Sequence, residues 1–343
     1  MTAERVTYIA PGPVRTTALL SRDDVARLVS VPDAVHAVRE VFRAHGQGRV
    51  AMPAKISLDL RPFGLNAWHN AMPGYLEPAA AAGIKWAGGY ADNPARHGLP
   101  YVMALIVLQD PETGYPLAIM DGVHITNIRT GAVVGVAAEY YARSEAGVAA
   151  FVGAGAQAVT ALEALVLTRR PTSITVYDLD PGRAASFAVT ATRRHGLAGR
   201  ACGTVEEAVT GAWLITTATP ADAPLVEGRW IAPGATSVSL GSFQEFSDDA
   251  VEDAERIVVD SWEQCAHRGE LKRFADSGRL TRADIYGEIG DTVGGDLPGR
   301  DGPDQRILVV PIGLGTHDLY LARMVLDRAS AADLRNFDFV NVQ

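Results

Sequence analysis

The sequence predicts an α/β protein: a doubly wound parallel-sheet domain joined to a second, α+β domain. Three observations predict it. The chain has 343 residues, past the size at which one hydrophobic core usually stops growing, so two domains are expected. From about residue 129, runs of strand character alternate with helical patterns, as in parallel strands joined by crossover helices. Before that point the apolar runs are separated by turns, which suits a largely antiparallel sheet.

The elements follow in order. Residues 21–48, SRDDVARLVSVPDAVHAVREVFRAHGQG, are helical by period, with Val25, Leu28 and Val29 on one face and Val35, Val38, Val41 and Phe42 on another. Ser30 with Asp33 reads as a capping box, Pro32 suits a first turn, and Gly46 and Gly48 end the pattern. KISLDL, AGIKWAGGY, YVMALIVLQD and PLAIMDG read as strands, with NPARHGLP and DPETGYP as turns between them. RTGAVVGVAAEYYA is helical. VAAFVGAG is a strand and turn, AQAVTALEALVLTRR a helix, SITVYDLD a strand and PGRAASFAVTATRRHG a helix. AVTGAWLITTAT, GATSVSLG and RIVVDS add strands. After the polar loop GGDLPGRDGPD come the buried strand RILVVPIG and a last helix, HDLYLARMVLDRAS.

Composition narrows the partners. With 48% apolar and 21% charged residues the chain reads as an ordinary soluble globular protein. Its net charge of −9 repels phosphate backbones, so no nucleic-acid partner is expected. Two cysteines, Cys202 and Cys265, make no close pair, which fits a reducing cytoplasm. The opening MTAERVTYIAPGPVRTTALL lacks a signal-peptide layout, and no window offers eighteen clean apolar residues, so no membrane association is expected. The eight histidines are scattered without ligand spacing, so no metal site is expected. There is no G-x-x-x-x-G-K-[ST] loop and no G-x-S-x-G elbow.

One motif carries chemistry. Gly153-Ala154-Gly155-Ala156-Gln157-Ala158 is G-x-G-x-x-A, after a strand and before a helix. Gly153 permits the tight turn, Gly155 lets the backbone approach a pyrophosphate, and Ala158 lets helix and strand pack closely. The free N–H groups around Ala156 and Gln157 then face the phosphates. Asp178 ends the next strand, where a carboxylate accepts from an adenosine ribose and repels a 2′-phosphate. The domain is therefore of the Rossmann type, and NAD is favoured over NADP, with Arg183 near enough to keep NADP in view. Asp180 reads as the N-cap of the next helix.

MDGVHITNIRTGAVVGVAAEYYAR followed by VGAGAQAVTALEAL resembles the ornithine cyclodeaminase / mu-crystallin family. So do MPAKISL, NAMPGYL, AGIKWAGGYADNP, GLPYVMALIVLQDPETGYPLAIMDG and GEIGDTVGG, from about residue 20 to 330. The resemblance implies a discontinuous substrate-binding and dimerisation domain, residues 1–128 and 316–343, and a dinucleotide-binding domain, 129–315. It implies an active site between them, a homodimer, and hydride exchange at the α-carbon of an amino or imino acid. Family members include ornithine and lysine cyclodeaminases, alanine dehydrogenases, ketimine and cyclic imino-acid reductases, and an enzyme that oxidatively splits an aminocarboxyethyl-glutamate adduct.

Such chemistry needs a cationic clamp for the α-carboxylate and a group that moves protons at nitrogen. Arg129 matches the family's carboxylate-binding arginine, and a guanidinium fork suits a planar carboxylate. Lys85, in an otherwise apolar strand, is costly without a partner or a task, and it matches the family's active-site lysine. Lys55 occupies a position where many members carry a second cation. Tyr101, with Trp68, His69 and Asn70, suggests a more aromatic substrate pocket, so Tyr101 and His69 are expected to bind substrate. Thr130, Thr217, Ala218, Gly313 and Leu314 are expected on the cofactor, though each equally suits backbone packing. His317, beside Asp318, reads as a helix cap or a group near the nicotinamide.

One departure bears on the reaction. Cyclodeaminases carry an aspartate after the strand matching TSVSLG; here that segment is the shortened LGSFQEFSDDA, with Glu245 and Asp248 as replacements by position. An NAD(P)-dependent amino- or imino-acid oxidoreductase is therefore expected first, a cyclodeaminase second, and a non-catalytic NAD(P)H-binding protein third.

Overall fold

The computed structural model describes residues 16–221, 223–241, 244–330 and 333–339. Residues 1–15 of the opening segment, and Ser242 and Phe243 in the shortened loop, lie outside the described residues. The chain divides into two compact units. One comprises residues 1–29, 49–125 and 318–343; the other comprises 30–48 and 126–317.

The first unit holds β1 (Thr17–Leu20), β2 (Val50–Ala51), β3 (Ile56–Asp59), β4 (Ala67–Leu76), β5 (Ala81–Tyr90), β6 (Val102–Gln109), β7 (Pro116–Asp121) and the C-terminal β16 (Arg335–Phe337). They form one sheet in the order β16-β1-β7-β6-β5-β4-β2, with β3 also on β4. All pairs are antiparallel except β1 with β7. The DPETG turn closes the β6–β7 hairpin: the Asp110 carboxylate accepts from the Glu112 and Thr113 amides. In β4, Pro73 is tolerated because β3 and β2 pair only with residues 68–71 and 75–76, which leaves that edge open at the proline.

Side chains alternate across this sheet, and the register sorts them. Ile56, Ala71, Trp86 and Leu105 form one row across β3 to β6; Leu58, His69, Gly88 and Met103 form the next on the same face. Trp86 and Leu105 are 45% and 53% exposed there. Met72, Lys85 and Ile106 form a row on the opposite face and are buried.

The second unit holds β8 (Val148–Val152), β9 (Ser173–Tyr177), β10 (Ala198–Ala201), β11 (Leu214–Thr217), β12 (Thr236–Ser239), β13 (Arg256–Val259), β14 (Gly287–Glu288) and β15 (Ile307–Val310). Its sheet is wholly parallel, in the order β10-β9-β8-β11-β12-β15-β13-β14. The order reverses between β8 and β11, so this is a Rossmann-type doubly wound sheet with its switch point there. Helices cover both faces, which is why β11, β12, β13 and β15 are buried at every residue.

The expected boundaries differ from the observed ones in three ways. The periodic stretch 21–48 is two helices, Arg22–Leu28 and Val31–Gly46, and the second belongs to the second unit rather than to residues 1–128. Asp33 caps it by accepting from the Ser30 amide and hydroxyl. Its apolar face buries Val35, Val38, Val41 and Phe42, each worth about 1.5–3 kcal/mol. It is held by a glycine-to-glycine approach: a Cβ on Gly46 would lie 2.4 Å from the Gly290 carbonyl oxygen, so GEIGDTVGG is partly a helix-docking motif. The expected break at 128/129 falls inside the helix Val123–Tyr141, and the one at 315/316 falls in the helix Gly315–Arg328. Sequence patterning also missed β1, β2, β4, β10, β14 and β16 as strands.

Among the described residues no helix is long and apolar enough to cross a membrane, and no three His, Cys, Asp or Glu side chains group as a cation site.

Candidate active site

In the first unit, Lys85 stands in the middle of β5 and is 1% exposed. Its Nζ donates to Asp318 Oδ2 at 2.7 Å, with both side chains sealed from solvent. Asp318 comes from the first turn of the helix Gly315–Arg328, 233 residues away. It is thus the partner of Lys85, a role that sequence reading missed when it singled out His317 and took Asp318 only as its neighbour. The signal was an acid in a first helical turn, which capping explains equally well. His317 lies in the second unit, buried, with its ring edge-on to Phe42 at 4.7 Å.

The expected substrate contacts separate by face. Trp68 pairs with Gly89 and so shares the face of Lys85; its indole lies over Gly89, where a Cβ would come within 2.5 Å of the ring. Its Nε1 donates to Tyr101 Oη at 3.1 Å, so Tyr101 is fixed against that face. His69 is not: it pairs with Gly88, stacks on Trp86 at 5.1 Å and shares a hydrogen bond with Tyr90 Oη on the opposite face. The two-residue period of the strand thus places His69 on the face opposite Lys85, apart from Trp68 and Tyr101. Lys55 immediately precedes β3 and is half-buried.

In the second unit, the glycine turn has the geometry that its residues predict. Gly153 has φ +95°, and a Cβ there would sit 2.7 Å from the Ala218 carbonyl oxygen and 3.0 Å from the Thr219 methyl. No other residue fits. Gly155 is the N-cap of the helix Ala156–Thr168, whose first turn presents Ala156 and Gln157. Among the described residues beyond its chain neighbours, a Cβ there would meet Arg183 Nη2 alone, at 3.7 Å. Asp178 stands across the turn and accepts from the Ala154 amide at 2.8 Å and the Asp180 amide at 2.9 Å. Asp180 caps the helix Pro181–His195 through the Gly182 amide.

Arg129 is 7% exposed on the helix Val123–Tyr141. Its Nη1 lies 2.7 Å from where a Cβ on Gly313 would be, and Gly313 has φ +94° with its amide donated to the buried Asp260 at 2.5 Å. Gly313 therefore makes room for the guanidinium. The R-T-G-A pattern has its own reason: Cβ atoms on Gly131 and Gly135 would strike Thr160 and Ala164, so these glycines let this helix lie against the glycine-turn helix.

Three expected cofactor residues are otherwise engaged. The Thr130 hydroxyl donates back to the Thr126 carbonyl at 2.7 Å. The Thr217 hydroxyl donates to Glu245 at 2.6 Å. Leu314 is wholly buried in the core. Ala218, by contrast, stands at the rim of the turn, its amide on the Val152 carbonyl. The two acids considered as replacements for the cyclodeaminase aspartate are engaged as well. Glu245 is fully buried and accepts five hydrogen bonds. Asp248 is half-exposed and pairs with Arg273 and Arg279.

The sequence pattern of the ornithine cyclodeaminase/mu-crystallin family matches residues 15–333. The chain is 34% identical over 317 residues to an alanine dehydrogenase from Archaeoglobus fulgidus, which spans 91% of this chain and 95% of the relative. It superposes on an archaeal alanine dehydrogenase dimer with bound NAD at TM-score 0.87 and 32% identity, over 94% of this chain and 99% of that one. It superposes on the Thermococcus litoralis Δ1-pyrroline-2-carboxylate reductase in complex with NADH and L-proline at TM-score 0.86 and 32% identity, over 91% and 97%. With a Rossmann-type unit, a glycine turn closed to any larger residue and a match over nearly its whole length, the chain belongs to the ornithine cyclodeaminase/mu-crystallin family.

Proposed function

We propose that the chain is an NAD-dependent oxidoreductase that exchanges a hydride at the α-carbon of a small amino or imino acid. The observation that carries this is the glycine turn: Gly153 held at positive φ against Ala218, an open helix N-terminus at Gly155, and the Asp178 carboxylate across from it. Relatives above 30% identity include an alanine dehydrogenase and a pyrroline-2-carboxylate reductase, two redox enzymes acting at such a carbon.

The residues present fit the dinucleotide. Gly153, Gly155, Ala156 and Gln157 would hold its diphosphate and Asp178 its adenosine ribose. When bound, the nicotinamide supplies or takes up the hydride. Arg129, its fork fixed beside Gly313, neutralises the substrate α-carboxylate. Lys85 Nζ, steadied by Asp318 Oδ2, gives a proton to the substrate nitrogen in oxidation of NADH and accepts it in reverse. Trp68 and Tyr101 form an aromatic wall on the Lys85 face, and Lys55 is a second cation for the carboxylate.

A second copy of the chain covers the exposed apolar rows of Ile56, Trp86, Leu105, Leu58 and Met103, a patch that monomers rarely expose. A homodimer is the occupant this reading favours, since the similar archaeal structure is a dimer. Cys202 and Cys265 are free thiols, which suits a cytoplasmic setting.

Loss of absorbance from NADH with pyruvate plus ammonia, or with a cyclic imine, tests the reading. Ammonia release from ornithine or lysine with catalytic NAD and no net redox change would replace it with cyclodeamination. That outcome is disfavoured because Glu245 and Asp248 are both committed elsewhere.

A further inference from the structure

Glu245 is a buried acid held by donors on both carboxylate oxygens. Its Oε2 accepts from Thr217 Oγ1 at 2.6 Å, Ser239 Oγ at 3.2 Å and the Gly241 amide at 3.2 Å. Its Oε1 accepts from the Thr219 amide and hydroxyl, both at 2.8 Å. Its own carbonyl accepts from the Leu225 and Val226 amides. Its amide, with that of Phe246, donates to Glu270 Oε2 at 2.6 and 3.1 Å. Both acids are 0% exposed.

A buried carboxylate is a poor stabiliser compared with well-packed apolar residues, so its presence calls for a geometric reason. The donors supply one. Thr217 and Thr219 belong to the end of β11 and the loop after it, and Ser239 and Gly241 to the end of β12 and the loop after that. These are carboxyl ends of parallel strands, the ligand-binding edge of a doubly wound sheet, and they lie in its second half, beyond the switch point. In such a sheet the first half, β8 to β10, takes the adenosine portion of a dinucleotide; the second takes the other portion. Thr219, fixed by two bonds to Glu245, is also the residue whose methyl lies 3.0 Å from the Cβ position of Gly153.

We propose that Glu245 is a positioning residue that clasps the loops after β11 and β12 to shape the nicotinamide half of the dinucleotide site, with Glu270 fixing the backbone of the clasp. This rests on the nucleotide reading above. Glu245 touches neither cofactor nor substrate; it sets where Thr219 and Ala218 stand. Burial pushes its carboxyl up while the bonds from Thr217, Thr219 and Gly241 pull against that, so it is held by hydrogen bonding rather than by a cation.

The test compares two ligands on the whole chain by calorimetry: NADH, which spans both halves, and ADP-ribose, which lacks the nicotinamide. In Glu245→Gln the amide nitrogen faces a backbone N–H, of Thr219 or of Gly241, that cannot turn round to accept, so at least one bond is lost, and NADH binding weakens about tenfold, the equivalent of roughly 1.4 kcal/mol. ADP-ribose binding stays at the wild-type value, and KM for NADH rises more than kcat falls. Ser239→Ala removes one donor, keeps the acid, and shows a smaller shift in the same direction; it carries the test if the first variant does not fold. Equal weakening of NADH and ADP-ribose, or unchanged NADH affinity in both variants, overturns the clasp. If the wild type binds neither ligand, the nucleotide site itself falls, and the clasp with it.

Discussion

Replacing Lys85 by methionine separates what the buried ion pair does for stability from what it does for turnover. Methionine fills a similar volume but leaves Asp318, 0% exposed, without its ammonium partner at 2.7 Å. Breaking a buried pair on one side costs roughly 3–5 kcal/mol, because a charge stays desolvated and uncompensated. At about 2–4 °C per kcal/mol for a body of this size, the melting temperature falls by roughly 6–20 °C. Removing both charges, in Lys85→Met with Asp318→Leu, is expected to restore most of that loss, since an apolar replacement of a buried pair is often neutral. Activity does not return: both variants lose at least about 10²-fold in kcat, the usual worth of a positioned proton donor. Thermal melts by circular dichroism and NADH oxidation with the best imino acid, run on wild type and both variants, give the answer. A Lys85→Met protein that melts with the wild type, or a double variant that turns over, would refute the argument.

Gly313→Ala forces a methyl into positive φ and against Arg129 Nη1; a misplaced carboxylate clamp is expected to lower kcat/KM about 10²-fold, with NADH affinity measured as the control. Asp178→Ser removes the charge that opposes a 2′-phosphate, and the ratio of NADPH to NADH affinity, by fluorescence titration, rises at least about tenfold. Burial raises the Glu270 carboxyl to about 7, against the pull of the Glu245 and Phe246 amides and of Arg273 nearby. A folded pKa raised from 4.5 means the folded state holds a proton that the unfolded chain has released, so this group's contribution to stability is lost as pH rises from 4.5 through 7. Glu270→Gln lacks this slope, and urea melts at pH 5 and 8 should show its stability gaining on the wild type by at most about 3 kcal/mol. A gap that does not change with pH contradicts the assignment.

Much of this was legible because local signals agreed with the fold. Strands buried on both faces, such as Arg256–Val259 and Ile307–Val310, read as continuous apolar runs, and the glycine turn stood between a strand and a helix. What escaped was decided by pairing partners far along the chain. β4 carries Pro73 and Gly74 in mid-strand, which read as breakers until the open edge beside them is known. Thr17–Leu20 and Arg335–Phe337 are four and three residues long and become strands by pairing with each other. His69 was grouped with Trp68 and Tyr101 by sequence proximity, whereas the strand's alternation puts it on the other face, against Trp86 and Tyr90. Asp318 could not be matched to Lys85 from spacing, since 233 residues separate them.

That separation has a consequence for biosynthesis. A nascent chain exposes the ammonium of Lys85 in an apolar strand well before its carboxylate exists. At about 5–20 residues per second the wait is roughly 10–50 s, and the β1 edge stays open until β16 follows. The unit that holds β1 and β16 therefore finishes after the other, although β1 is made before any strand of that other unit, and chaperone demand should concentrate in that interval.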